Sequence, residues 1–285
     1  MSDCIVVIPI YKEKPSSIEI SSFKQCLKIL YKHTISIITH PKLDLKIYKK
    51  IADEHNINLH IKYFNETYFY SVKGYNQLCL DIQFYKSFRQ YKYILIYQLD
   101  AWVFKDDLDF WCSKGYDYIG APFFQKDKSR KFYTKKITGI GNGGFSLRKI
   151  EYCIKLLNSN NRIPFLHPLY LWKKYYANKI PSINIKNIIP ILIIMLRYIL
   201  NIIGYQNNLK YLVKHKNEDY IFSEYATNSL LKIKPFIPNF KEASLFAFEV
   251  NPSYLYSQHN ILPFGCHAFK KHEFDHFWIQ HIKLE

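Results

Sequence analysis

Residues 93–104 read YILIYQLDAWVF. The first five, Tyr93–Tyr97, form the most strand-like run in the chain, apolar and aromatic throughout. The run ends at Gln98-Leu99-Asp100, so a carboxylate follows directly on a strand. In open α/β sheets ligands bind outside the carboxyl ends of the strands. A carboxylate there binds ribose hydroxyls, holds a divalent cation carrying a diphosphate, or caps the next turn.

The flanking sequence has the grammar of a doubly wound sheet. Ile5–Ile10 (IVVIPI) is a short apolar run of the kind a parallel sheet buries on both faces. Ser16–Tyr31 predicts a helix, with Ile18, Phe23, Leu27 and Leu30 on one side. Thr34–Thr39 and Leu59–Phe64 predict strands, with a helix at Leu45–His55 between them. Tyr75–Tyr91 predicts one long aromatic helix. Downstream, Tyr116–Ile119 predicts a strand closed by Gly120 and Pro122, Lys126–Lys136 a basic loop, and Ile150–Asn158 a helix. The grammar then changes: residues 183–204 are nearly all apolar, interrupted by Lys186, Pro190 and Arg197. Without a linker or repeat, this predicts one domain with an apolar helical insertion.

The chain has 285 residues, 48% of them hydrophobic and 18% aromatic, which excludes a disordered chain. The balance of 40 basic against 23 acidic residues gives +17 and attracts polyanions: nucleic acid, anionic lipid or phosphorylated substrates. The six cysteines form no CxxC pair, which predicts reduced, buried thiols and a cytoplasmic setting. The N-terminal segment has no basic-then-apolar pattern, so no signal peptide is expected.

Three further motifs carry chemistry. Gly139–Gly144 (GIGNGG) has four glycines in six residues, followed by Ser146 and Arg148. Such a loop lets backbone approach a ligand closely; a plain turn is the alternative. Its spacing is not that of a dinucleotide fingerprint. Asn217-Glu218-Asp219 places two carboxylates at a helix start, where they cap the helix or supply a general base. His267, in PFGCHAF, follows a strand-like run and is a candidate metal ligand or a structural histidine.

In this order the motifs resemble GT-A type glycosyltransferases over about residues 3 to 270. More narrowly, YNQL, YILIYQLDAWVF, DYIGAPFF, GNGGFSLR, NEDYIF and LPFGCHAF resemble a poorly characterised microbial family of glycosyltransferase-like proteins. The resemblance implies a Rossmann-like GT-A mixed sheet flanked by helices. Residues 1–125 would form the nucleotide-sugar half, and residues 126–285 the acceptor and catalytic half. It implies that Asp219, or Glu218 in its place, is the catalytic base. Pro9, Tyr11, Gln98 and Asp100 would bind the donor, and Asn142, Gly143, Gly144 and Arg148 the acceptor. Asp100 and His267 would hold a divalent cation, Mn²⁺ or Mg²⁺. One departure bears on the metal. The superfamily motif is Asp-x-Asp, and here Asp100 is followed by Ala101 and Trp102, with Asp106 and Asp107 as the next carboxylates.

The expected partners are a nucleotide sugar, a glycan or lipid-linked acceptor, and the anionic inner face of the cell membrane. The apolar stretch is too short to span and points to peripheral attachment there, with an ordinary buried helix as the alternative. The positive charge also suits a nucleic-acid-binding protein, but no zinc spacing, RNP-like motif or helix-turn-helix signal supports one. A nucleotidyltransferase normally has a glycine-rich loop after its first strand; here Ile10 leads to YKEKP.

Overall fold

Four parallel strands come first in the computed structural model: β1 (Cys4–Pro9), β2 (Thr34–Thr39), β3 (His60–Tyr63) and β4 (Tyr93–Tyr97). The structure describes residues 3–127, 129, 132–159, 188–202, 205, 209–214, 216–226 and 233–284. Strand β5 (Trp102–Val103) and strand β6 (Tyr118–Ile119) follow, then a hairpin of β7 (Pro122–Lys126) and β8 (Tyr133–Ile140), then β9 (Phe145–Lys149). The main sheet has six strands in the order β3-β2-β1-β4-β9-β6, with β9 antiparallel to both neighbours. The expected mixed sheet flanked by helices is therefore present.

Alternation explains why the two long apolar runs are continuous. Every residue of β1 is buried, with Val6 and Ile8 in one core cluster and Ile5 and Val7 in the other. In β4, Leu95 joins the first cluster and Ile94 and Ile96 the second. A strand covered on both faces needs apolar side chains at every position. Helices α1 (Ser17–Ile29) and α2 (Lys46–Glu54) cover one face through Phe23, Leu27, Tyr48 and Ile51. Helix α1 starts in a capping box: Ser16 Oγ accepts from the Glu19 amide, and the Glu19 carboxylate accepts from the Ser16 amide at 2.8 Å.

The predicted helix over Tyr75–Tyr91 is instead two, α3 (Val72–Cys79) and α4 (Ile82–Lys86). Asp81 causes the break, because its carboxylate accepts from the Gln83 amide at 2.9 Å and starts a new helix. These helices cover the second face with Leu78 and Phe84. Helix α5 (Leu108–Ser113) packs Leu108 and Trp111 into the first cluster, and α6 (Ile150–Leu157) packs Leu156 into the second. The expected loop at Lys126–Lys136 is also corrected: its ends are strand, within the β7–β8 hairpin. Of the apolar stretch 183–204, residues 188–202 are described and form the helix α7 (Ile188–Ile202). No described helix is long and apolar enough to cross a membrane.

Chain order decides where a crevice opens. From β1 the chain steps outward through β2 and β3, then returns to place β4 on the other side of β1. Connections diverge from the carboxyl ends of β1 and β4, which is the switch point where such sheets bind ligands. Pro9 ends β1 and Gln98 follows β4. Because β9 runs antiparallel, its amino end lies at the same edge, with Phe145 opposite Tyr97.

Candidate active site

The antiparallel pairing of β9 brings the glycine loop beside Asp100. The Gln98 amide donates to the Gly144 carbonyl at 2.8 Å. A small second sheet, β10 (Ala247–Phe248), β11 (Gly265–Cys266) and β5, brings His267 to the same place. Two glycines are required by close approach. A Cβ on Gly143 would lie 1.8 Å from Glu218 Oε1, and one on Gly144 would lie 2.0 Å from His267 Nε2. The third approach is conformational: Asn142 has φ of 70°, and its side-chain oxygen accepts from the Gly144 amide at 3.0 Å.

Below the loop Arg148 is fully buried. Its guanidinium donates to Ser146 Oγ, Tyr85 Oη, the Gly143 carbonyl and, at 2.9 Å, Glu218 Oε1. Buried under the loop, Arg148 holds Gly143 and Glu218. Glu218 begins a short helical turn, α8 (Glu218–Tyr220), which continues as a π-helical turn, Ile221–Tyr225. The Asn76 side chain accepts from the Glu218 amide at 2.9 Å. Asp219 is in a different position. Its carboxylate accepts from the Tyr220 amide at 2.8 Å, and no ion pair forms on it among the described residues. Burial first, then the charge of Glu218, push its carboxyl up to about 7.

His267 lies between two carboxylates, 3.0 Å from Asp100 through Nε2 and 3.3 Å from Glu249 through Nδ1. Burial favours the neutral ring, but the charge and hydrogen bond of Asp100, joined by Glu249, override it and push the imidazole up to about 10. Burial likewise opposes ionisation of Asp100, and the imidazolium holds its carboxyl below the usual range. The adjacent Gly143 and Gly144 face Glu218 and His267 respectively, so the two groups lie side by side.

These residues do not make a metal centre by themselves. The atoms of Asp100 and His267 that would ligate a cation face each other as an ion pair. Among the described residues no group of three His, Cys, Asp or Glu side chains is placed to hold an ion. The substitutes Asp106 and Asp107 are engaged elsewhere, Asp106 with His33 at 2.8 Å and Asp107 with Lys105 at 2.6 Å.

A cavity of about 290 Å³ opens at the carboxyl ends of β1 and β4. Pro9 and Gln98 line it with Tyr11, Phe69, Tyr70 and Tyr75. At the end of β2, His40 packs on Phe69 and Tyr70, and its Nδ1 and the hydroxyl of Thr39 are buried without hydrogen-bond partners among the described residues. An aromatic cavity with unused polar atoms close by suits a flat heterocycle.

The sequence-predicted residues thus fall into neighbouring groups. Pro9, Tyr11 and Gln98 line the cavity; Asp100 and His267 pair at its edge; Asn142, Gly143 and Gly144 form a loop over Arg148 and Glu218. Sequence reasoning missed Glu249, the only carboxylate in the run Phe246–Val250, and Asn76, which sits inside the quoted YNQL motif.

No curated protein matches the chain. Among solved structures it is similar to core-mannan synthase A from Aspergillus fumigatus in its Mn/GDP form. That likeness has 9% identity and a TM-score of 0.43, and covers 55% of this chain and 63% of that one. It is similar to S. aureus TarS 1–349 in complex with UDP-GlcNAc, at 12% identity and a TM-score of 0.33, over 53% of this chain and 46% of that one. A cytidylyltransferase from Leptospira borgpetersenii is similar at 9% identity and a TM-score of 0.32, over 54% of this chain and 62% of that one. The chain thus spans less than two thirds of the length of each. Likeness at this level implies nothing about activity. The sequence profile described as "Protein of unknown function (DUF5672)" matches residues 58–267, most of the chain, and the chain belongs to that family.

Proposed function

We propose that the chain is a nucleotide-sugar-dependent glycosyltransferase of the GT-A type. It moves a sugar onto a hydroxyl of a cell-surface glycan or lipid-linked acceptor, with inversion. The observation that carries this reading is the division within the acidic pair. Glu218 is held by Arg148, while Asp219 is left unpaired among the described residues, with its carboxyl raised to about 7. A carboxylate with that affinity for a proton is suited to deprotonate a hydroxyl at neutral pH. The aromatic cavity at the strand ends supports a donor nucleoside beside it.

In the proposed reaction Asp219 takes the proton of the acceptor hydroxyl as its oxygen attacks the anomeric carbon. The bond to the diphosphate breaks with its electron pair, and nucleoside diphosphate leaves. Gly143 and Gly144 let Glu218 and His267 pack closely against the loop that forms the acceptor side. The test is a panel of nucleotide sugars, with and without Mn²⁺, assayed for nucleoside diphosphate release. One donor should be consumed by the wild type and spared by Asp219→Asn. Conversion of a nucleoside triphosphate and a sugar phosphate instead, with no nucleotide sugar consumed, would establish a nucleotidyltransferase.

The reading includes peripheral attachment to the inner face of the cell membrane, and helix α7 supports it. At 100° per residue, Ile189, Leu192, Ile193, Met195, Leu196 and Ile199 fall within about 160° of arc. All six are exposed, whereas Ile194 on the other side is buried. An exposed apolar stripe on a chain of +17 suits an anionic bilayer surface.

A further inference from the structure

A second cavity, of about 380 Å³, lies between α3 and residues 213–217. Lys73, Lys214 and Lys216 line it with Asn76, Gln77 and Asn217, and no carboxylate lines it among the described residues. All three lysines are exposed. Neither the Lys73 nor the Lys214 side chain forms an ion pair or hydrogen bond with any described residue. Neighbouring ammonium groups repel one another unless an anion sits between them. Amides and ammonium groups together supply the donors a phosphate needs.

The location decides whose phosphate it is. Asn217 lines the cavity two residues before Asp219. Asn76 lines it too, and its side chain holds the amide of Glu218 at 2.9 Å. The cavity is therefore built on the turn that carries the proposed base. Pro9, Gln98 and Asp100, at the strand ends where a donor diphosphate belongs, do not line it. Val72 alone is shared with the aromatic cavity, so the two spaces adjoin without merging.

We infer that this lysine cavity binds a phosphate or diphosphate group carried by the acceptor, so that the accepted hydroxyl belongs to a phosphorylated molecule. The inference rests on the glycosyltransferase reading for the word acceptor, but the anion site stands on the cavity alone. Two sources have this chemistry: an isoprenoid lipid diphosphate and a glycan joined by phosphodiesters.

The test compares wild type with the triple variant K73Q/K214Q/K216Q, whose exposed substitutions should leave the melting temperature unchanged. Binding is measured for farnesyl diphosphate in detergent, for an oligomer of glycerol phosphate, and for nucleoside diphosphate. Wild type should bind one of the first two probes, and the variant should bind it at least about tenfold more weakly, as expected when charge-assisted contacts are lost. Nucleoside diphosphate affinity should not change. Which probe binds identifies the source. The inference is overturned if wild type binds neither phosphate probe or the variant binds them equally well. It is also overturned if nucleoside diphosphate affinity falls in step, since the cavity would then belong to the donor. If the phosphate affinity is lost in the variant while no nucleotide or nucleotide sugar binds wild type, the anion site stands and the glycosyltransferase reading falls.

Discussion

Glu218 and Asp219 are neighbours in sequence in unlike surroundings. The Glu218 side chain is 5% exposed and its partner Arg148 is wholly buried, so each offsets the charge of the other where water cannot. Glu218→Gln leaves a buried guanidinium unpaired and should cost about 3–5 kcal/mol in denaturant unfolding. Asp219→Asn should leave stability nearly intact and cut turnover by about 10² to 10⁴. The pH profile separates the two further. The base works deprotonated and its carboxyl is raised to about 7, so kcat/KM should rise with pH through that region and level off above it. The rise should vanish in the Asp219→Asn residual rate. A dead Glu218→Gln enzyme of full stability beside an active Asp219→Asn would reverse the roles. Sequence alone showed an acidic pair at a helix start. It did not show which member was occupied, because the deciding partner, Arg148, is 70 residues away.

The elements that were legible are those whose signal is local. Strands β1 and β4 are apolar at successive positions because both faces of the sheet are covered, and β2 and β4 have the bounds the sequence predicts. The long helix expected at Tyr75–Tyr91 failed because apolar spacing continues across Asp81 while the hydrogen bonding does not. The β7–β8 hairpin was missed because YTKKITGI carries lysines where a buried strand has apolar residues, and only Ile140 of it is buried. The glycine loop was legible as a loop, but the groups it touches come from distant elements. Gly144→Ala tests that contact. The new methyl would meet His267 Nε2, and the imidazole cannot step aside while Asp100 and Glu249 hold it. The variant should lose about 1–3 kcal/mol of stability, as overpacking typically does, and transfer should fall at least about tenfold. Gly115→Ala is the control: it has φ of +77° but open space around the new methyl, so strain without contact should leave activity unchanged.

Across the whole molecule, charge and apolar surface act together. The sequence excess of 17 positive charges is a long-range attraction that salt screens, whereas insertion of apolar side chains resists salt. Liposome co-sedimentation separates the two. Wild type should pellet with anionic vesicles, partly released by high salt. A variant with Leu192→Ser, Leu196→Ser and Ile199→Ser should stay in the supernatant while keeping its melting temperature. These side chains are 55–58% exposed, so their loss should not open the core. Wild type remaining in the supernatant, or a variant that pellets equally well, would place the attraction elsewhere.

All six cysteines are buried and unbridged. Burial pushes the thiols of Cys4, Cys26, Cys79, Cys153 and Cys266 up, away from the reactive thiolate. The folded chain is therefore quiet toward maleimides and needs no native thiol removed before labelling. A single cysteine placed at exposed Leu192 would carry a spin label to report depth in a bilayer, and one at Lys73 a fluorophore to report ligand arrival. The same six thiols serve as an internal clock. Alkylation of each waits for the part of the chain around it to open, so their order of modification maps which regions come apart first.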